Sequence, residues 1–179
     1  MIYYFGDAHL GHANVIKHDG RPFSNVDEMD KTLINNYNNI VNNNDDVYIT
    51  GDLFYRNKYN AEDILKKLKG KKHLIIGNHD KHWLKNKELR KYFVEITDIV
   101  TIKDEDSMVV ISHYPLAEWD GYFRGYYHVY AHIHNNINET YNFMKTKEKA
   151  LNSGCMINGY RPVTLKELII NNKIFKEEH

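Results

Sequence analysis

The chain has 179 residues, 42% of them hydrophobic, with 24 basic and 24 acidic groups and no net charge. That length and apolar content suit one domain, residues 1–179, with a buried core. No apolar run approaches membrane-spanning length, so a cytoplasmic protein without a membrane partner is expected. The single cysteine, Cys155, excludes an intramolecular disulfide and a cysteine-based zinc cluster, and reads as a small buried hydrophobe.

Charge is spread unevenly. Residues 1–55 carry 3 basic and 8 acidic groups, residues 56–91 carry 12 and 4, and residues 92–179 carry 9 and 12. The middle segment is net +8 and would draw an anionic substrate wherever its cations face a site. Most of its lysines read instead as solvated helix faces.

Ile2-Tyr3-Tyr4-Phe5 is a short apolar run broken by Gly6, which predicts a buried strand with Asp7 and His9 in the loop beyond it. Gly11-His12-Ala13-Asn14 follows at once; His12 either touches a substrate phosphate or caps the next helical turn. Ser24 or Asn25 opens a helix with Asp27 and Glu28 in its first turn. Val26, Met29, Leu33, Tyr37, Ile40 and Val41 recur there at helical spacing. Val47-Tyr48-Ile49-Thr50 is the next strand and ends at Gly51-Asp52. A helix from about Ala61 to Lys69 buries Ile64, Leu65 and Leu68, with Glu62/Lys66 and Asp63/Lys67 at i,i+4. His73-Leu74-Ile75-Ile76 is the third strand, opened by a surface His73 and ending at Gly77-Asn78-His79-Asp80. This alternation predicts parallel strands with crossover helices, in which ligands bind beyond the carboxyl ends of the strands.

Further on, Ile99–Ile102 and Met108–Ser112 pair across the acidic turn Asp104-Glu105-Asp106, and His113 follows directly. His128 to His134 alternates, which places His132 and His134 on one face of a continued strand. His128 shares that face but reads more readily as a structural histidine. His18, His82 and His179 read as solvated. A last helix begins after Pro162, near Thr164. Arginine suits phosphate because its planar fork is bidentate. Arg21, Arg56 and Arg124 are the loop candidates, with Arg124 ranked above Arg21 for its glycine-flanked aromatic loop.

Carboxylate, imidazole and amide groups are the donors that borderline divalent metals accept. Each patch alone is a common turn or an exposed polar pair. Their order is Asp7-Ala8-His9, Gly51-Asp52, Gly77-Asn78-His79-Asp80, His113 and His132-Ile133-His134. That order is far more specific, and it resembles the calcineurin-like metallophosphoesterase superfamily from Asp7 to His134. The Gly11-His12 pair is similar to a subgroup of small bacterial and phage-like phosphoesterases.

The resemblance implies an α/β (α+β) fold, a four-layer αββα sandwich of two mixed sheets flanked by helices. It implies a binuclear phosphoesterase acting on phosphate esters, phosphodiesters or nucleotides above all, by in-line attack of a metal-bridging hydroxide. Two divalent ions are implied, with Mn, Fe, Zn, Ni and Co all suited to the donors. By the resemblance, Asp7, His9, Asp52 and His134 hold the first ion, and Asp52, Asn78, His113 and His132 the second. Asp52 is central in the order and bridges the ions, while His79 matches the catalytic histidine, which is not a ligand. His12, Arg56 and Arg124 are the candidates for substrate contact.

Three departures stand out. Tyr55 occupies the place of an aspartate that orients the catalytic histidine in Ser/Thr protein phosphatases, with Asp80 as a possible substitute. Ala131 replaces the usual glycine of Gly-His-x-His, and Gly6 replaces the usual serine-like residue before the first aspartate. Rival readings are a nuclease or protein phosphatase of the same superfamily, and a non-catalytic protein-binding scaffold. Nucleic acid gains support from the +8 segment and from Tyr114, Tyr122, Tyr126 and Tyr127 as base-stacking platforms. Retention of every ligand position speaks against the scaffold.

Overall fold

A computed structural model describes residues 1–55 and 61–179. Strands β1 (Ile2–Phe5), β2 (Asp46–Ile49), β3 (Lys71–Ile75) and β4 (Phe93–Thr97) form one sheet in that spatial order, all parallel. Strands β5 (Ile99–Asp104), β6 (Ser107–Ser112), β7 (Tyr127–Tyr130) and β8 (Ala150–Asn152) form a second. There β5 is antiparallel to β6, and β6, β7 and β8 run parallel.

In the first sheet each strand steps the same way from its predecessor. Right-handed crossovers then place the connecting helices on one face. Helices α1 (Ala13–Asp19), α2 (Val26–Ile40) and α3 (Ala61–Lys67) accordingly share a core with Tyr3, Phe5, Val47, Ile49 and Leu74. Side chains alternate along a strand, so Tyr4, Tyr48 and Ile75 point the other way. They meet Val109, Ile111, Val129 and Leu151 in a core between the sheets. Between β3 and β4 the chain forms the short α4 (Asp80–Trp83). A third core joins Val110, Tyr130 and Ala150 to Trp119 and to Tyr141 and Met144 of α5 (Glu139–Lys145). Three cores between four layers make the αββα sandwich. Among the described residues, the first sheet is mixed through one antiparallel bridge, Tyr4 with Val163, on the edge of β1.

Local chemistry sets several boundaries. Asn25 caps α2 by accepting from the Glu28 N–H at 2.9 Å. Thr164 caps α6 (Leu165–Glu178) in a reciprocal box with Glu167. Lys66 pairs with Glu62 at 3.4 Å on α3. Cys155 is fully buried in the first core. Two expectations are corrected. His73 is buried mid-strand, because the register sets it opposite Tyr48; its Nε2 meets Asp46 at 2.9 Å and its ring lies 4.5 Å from that of Tyr48. Strand β7 stops at Tyr130, so His132 and His134 lie in the loop beyond it. No helix among the described residues is long and apolar enough to cross a membrane.

Candidate metal centre

Parallel strands end on a common edge, and the donor residues gather there. Asp7 and His9 follow β1, Asp52 follows β2, Asn78 follows β3, His113 follows β6, and His132 and His134 follow β7. Backbone hydrogen bonds lace these loops together. Asp7 N–H donates to Gly51 O at 3.1 Å, His9 N–H to Asp52 O at 2.9 Å, and Ala131 N–H to His113 O at 2.9 Å. The lacing twists the chain: Asp7, His9, Asp52, His132 and His134 all have φ between +50° and +70°. Left-handed backbone costs roughly 1–2 kcal/mol in a non-glycine residue, and it collects at functional sites where surroundings enforce it.

Close approach demands glycine at the seams. A Cβ on Gly77 would lie 2.2 Å from Asp52 Oδ1 and 2.5 Å from the Asp52 backbone nitrogen. A Cβ on Gly6 would lie 2.9 Å from the Ala131 methyl and 2.4 Å from Thr50 Oγ1. Two of the three departures from the superfamily pattern are therefore neighbours: Gly6 leaves the space that the Ala131 side chain needs. Ala131 itself avoids positive φ, which falls on His132 at +70°.

Asp52 Oδ2 lies 3.7 Å from His9 Nε2, 3.6 Å from His113 Nε2 and 3.9 Å from His79 Nε2. Asn78 Oδ1 lies 3.1 Å from both His113 Nε2 and His132 Nδ1. His9 and His134 face each other through Nε2 at 3.1 Å, and His134 Nε2 is 4.0 Å from Asp7 Oδ1. Three sets of donor atoms lie mutually within 4.8 Å: Asp7, His9 and His134; His9, Asp52 and His79; Asp52, His113 and His132. Asp52 belongs to two of them.

The donors fit cations. The His113 Nδ1–H donates to the Thr50 carbonyl at 2.9 Å, which leaves Nε2 a bare lone pair facing other lone pairs on Asn78 and Asp52. The His134 Nδ1–H donates to both Asp19 oxygens at 2.9 Å, which leaves its Nε2 for His9 and Asp7. Asp7 Oδ2 and His9 Nδ1 are buried without a hydrogen-bond partner. Converging lone pairs of this kind are satisfied by a positive ion. Burial pushes the Asp52 carboxyl up from its ordinary pKa. Burial, with the charges of His134 and Arg21, pushes His9 far down, so its imidazole is neutral, the ligand form. Burial opposes a charge on His134, yet the Asp19 carboxylate outweighs it and raises its pKa.

Asp80 is fully buried and accepts from the N–H groups of Asp52, Leu53 and Gly77 at 2.8, 3.1 and 2.9 Å, and from Trp83 Nε1–H at 2.9 Å. Its carboxylate thus binds two ligand loops to each other through their backbones, and this occupation keeps it from orienting His79. His79 N–H donates to Asp52 Oδ1 at 2.9 Å, and its ring meets Tyr55 edge-on at 4.6 Å.

A cleft of about 270 Å³ opens over the centre, lined by His9, His12, His18, His79, His132, His134 and Asn136 among others. His12 lies at the N-terminus of α1 without a side-chain capping bond; its ring stands 3.9 Å from that of Tyr55. His18 is exposed as expected, yet it borders the cleft, because the α1 helix turns it there. Of the loop arginines, Arg21 is buried beneath the Asp7 loop. Arg124 is 65% exposed and pairs with Asp120 at 3.0 Å. Arg56 lies outside the described residues. Tyr114 stands 4.5 Å from the His132 ring, whereas Tyr122 and Tyr126 pack near Trp119 in the outer core. His128 is buried in the outer layer, where Nδ1–H donates to Val110 O at 3.1 Å and Nε2 accepts from Leu116 N–H at 3.0 Å.

The family model for calcineurin-like phosphoesterases matches residues 1–174, and the chain belongs to that family. The clustered His and Asp donors are candidate ligands for the divalent metals that this family usually binds. An uncharacterised protein of Methanocaldococcus jannaschii is 37% identical over 171 residues, 94% of this chain and 89% of that protein. The crystal structure of a protein of unknown function from Aquifex aeolicus is similar with a TM-score of 0.73 at 26% identity, over 93% of this chain and 96% of that one. A Vps29 structure from Entamoeba histolytica, complexed with zinc, is similar at a TM-score of 0.42 and 15% identity, over 86% and 73% of the chains, too distant to bear on the site.

Proposed function

We propose that this chain hydrolyses phosphate esters, phosphodiesters or nucleotides in particular, with two divalent ions. One observation carries the reading: Asp52 Oδ2 sits within 3.9 Å of three imidazole nitrogens contributed by loops of both sheets. Asp7, His9, Asp52 and His134 would hold one ion, and Asp52, Asn78, His113 and His132 the other. Bound there, such ions lower the pKa of water toward neutrality and shield phosphoryl oxygens.

The chain's own residues supply the rest. Asp52 is the donor common to both halves and fixes their separation. His79 borders the cleft rather than its floor, with its backbone pinned to Asp52. From there its imidazole protonates the leaving alkoxide. His12 and His18 border the same cleft and contact the ester beyond the reacting phosphorus.

The test is a substrate panel with Mn²⁺, covering aryl mono- and diesters, cyclic nucleotides and oligonucleotides, run on wild type and His79→Ala. Wild type hydrolyses diesters, and His79→Ala loses roughly 10²–10⁴-fold in kcat with unchanged metal content. Equal turnover by the variant sinks the role of His79. Wild type that retains less than one ion per chain after Mn²⁺ loading is a protein-binding scaffold instead.

A further inference from the structure

We propose that Asp19 and Arg21 are positioning residues for one half of the metal centre, the half built from Asp7, His9 and His134. The inference rests on the two-ion reading above. Both residues are buried, at 8% and 4% exposure, and neither belongs to the proposed ligand set.

Arg21 Nε–H donates to Asp19 Oδ2 at 2.9 Å, and Nη2 lies 2.8 Å from the same oxygen. The rest of the guanidinium grips backbone: Nη1–H donates to Ala8 O and Nη2–H to Asp7 O, each at 2.9 Å. The Asp19 carboxylate in turn receives the His134 Nδ1–H. The Asn135 side-chain amide donates to Asp19 O at 3.0 Å, which ties the residue after His134 to the same point. One ion pair therefore reaches the Asp7–His9 loop by its carbonyls and His134 by its ring.

A buried ion pair is a poor source of stability, because desolvation offsets most of its attraction. Here its hydrogen bonds end on groups that carry or flank a ligand. Those ligands are also strained, with φ of +52° at Asp7, +50° at His9 and +53° at His134. Grips on consecutive carbonyls hold that loop in a conformation it would otherwise leave. A carboxylate on the far nitrogen of a ligand histidine fixes its tautomer and strengthens it as a donor. His113, in the other half, leans on the neutral Thr50 carbonyl. The two halves are thus separable: loss of the Asp19 carboxylate weakens one ion and spares the other.

The experiment titrates Co²⁺ into metal-free wild type, Asp19→Ala and Asp19→Asn, by calorimetry and by the visible absorption of the bound ion. In Asp19→Ala one ion binds roughly 10–100-fold more weakly while the other keeps wild-type affinity, so the isotherm splits into two phases. Asp19→Asn keeps an acceptor for His134 without the charge and falls between. Unchanged affinity for both ions overturns the assignment, as does an equal loss at both, the mark of general structural damage. Should Asp19→Ala not fold, the near-isosteric Asp19→Asn decides by the same criteria. Wild type that binds fewer than two ions defeats the two-ion reading, whereas wild type with two ions and an unaltered variant defeats this assignment alone.

Discussion

The two halves of the centre use similar donors and are supported in unlike ways. The half with Asp7, His9 and His134 is backed by a buried ion pair, whose carboxylate takes the proton of His134. In the half with Asn78, His113 and His132, His113 itself leans on main chain, the Thr50 carbonyl, while Gly51 and Gly77 let the loops close on Asp52 and the Asp80 carboxylate ties those loops through their backbone N–H groups. A charged support makes an imidazole more basic than a neutral one does. On the two-ion proposal, the groups behind the donors would then tune how tightly each half holds a cation.

The largest effect should come from the residue that both halves share. Asp52→Asn is expected to bring hydrolysis of an aryl phosphodiester below detection and to lower metal content measured by plasma mass spectrometry. Undiminished activity would remove the basis for two coupled halves. Gly51→Ala strikes the main-chain half first, since a Cβ there would lie 2.3 Å from His113 Nδ1 and 2.9 Å from the Gly77 backbone, at φ +93°. A loss of about 3 kcal/mol in urea unfolding is expected, with the Asp19-backed ion retained; a neutral substitution would show that this half is pliable.

The layer behind the second sheet is expected to respond to pH. Burial holds His128 down at about 4, against an ordinary value of 6.5. In that interval the unfolded chain binds the extra proton, so stability is complete above pH 6.5 and falls as pH drops toward 4. Wild type should lose roughly 2 kcal/mol between pH 6.5 and 5 from this group, and His128→Gln should show a shallower slope in the same range. Parallel slopes would deny His128 its neutral role.

The smallest effect sharpens the seam between the sheets. Gly6→Ala should cost about 2 kcal/mol, and Ala131→Gly in the same chain should recover about half of it, as a double-mutant cycle of thermal midpoints would show. Strict additivity would mean that the two residues do not share their space.

Much of this was legible where the signal is local. The runs that become β1, β2 and β3 are apolar because both faces of a covered parallel sheet are buried. Asn25 and Thr164 announce their helices through capping chemistry. Strand β4 has no fully buried residue and β8 has three residues, so neither leaves a pattern to read. The donor residues could be named from their order, but their left-handed backbone could not, since it arises from hydrogen bonds between distant loops such as His9 N–H to Asp52 O. For the same reason His132 and His134 read as a strand and fold as a loop. Arg21 and Arg124 look alike in sequence; only the packing of α1 against the Asp7 loop separates a buried clamp from a surface pair.

Aspartate, asparagine and histidine are at once this centre's donors and, glycine apart, the residues most at ease in left-handed backbone. At Asp7, His9, Asp52, His132 and His134 two independent demands therefore admit nearly the same short alphabet. Glycine satisfies one demand and fails the other: it relaxes the turn and deletes the donor. It would also delete the side-chain bonds that Asp7 and Asp52 accept from the His132 and His79 N–H groups and that His134 donates to Asp19. The same few torsion angles thus carry both the turn and the side chains that lace the loops together.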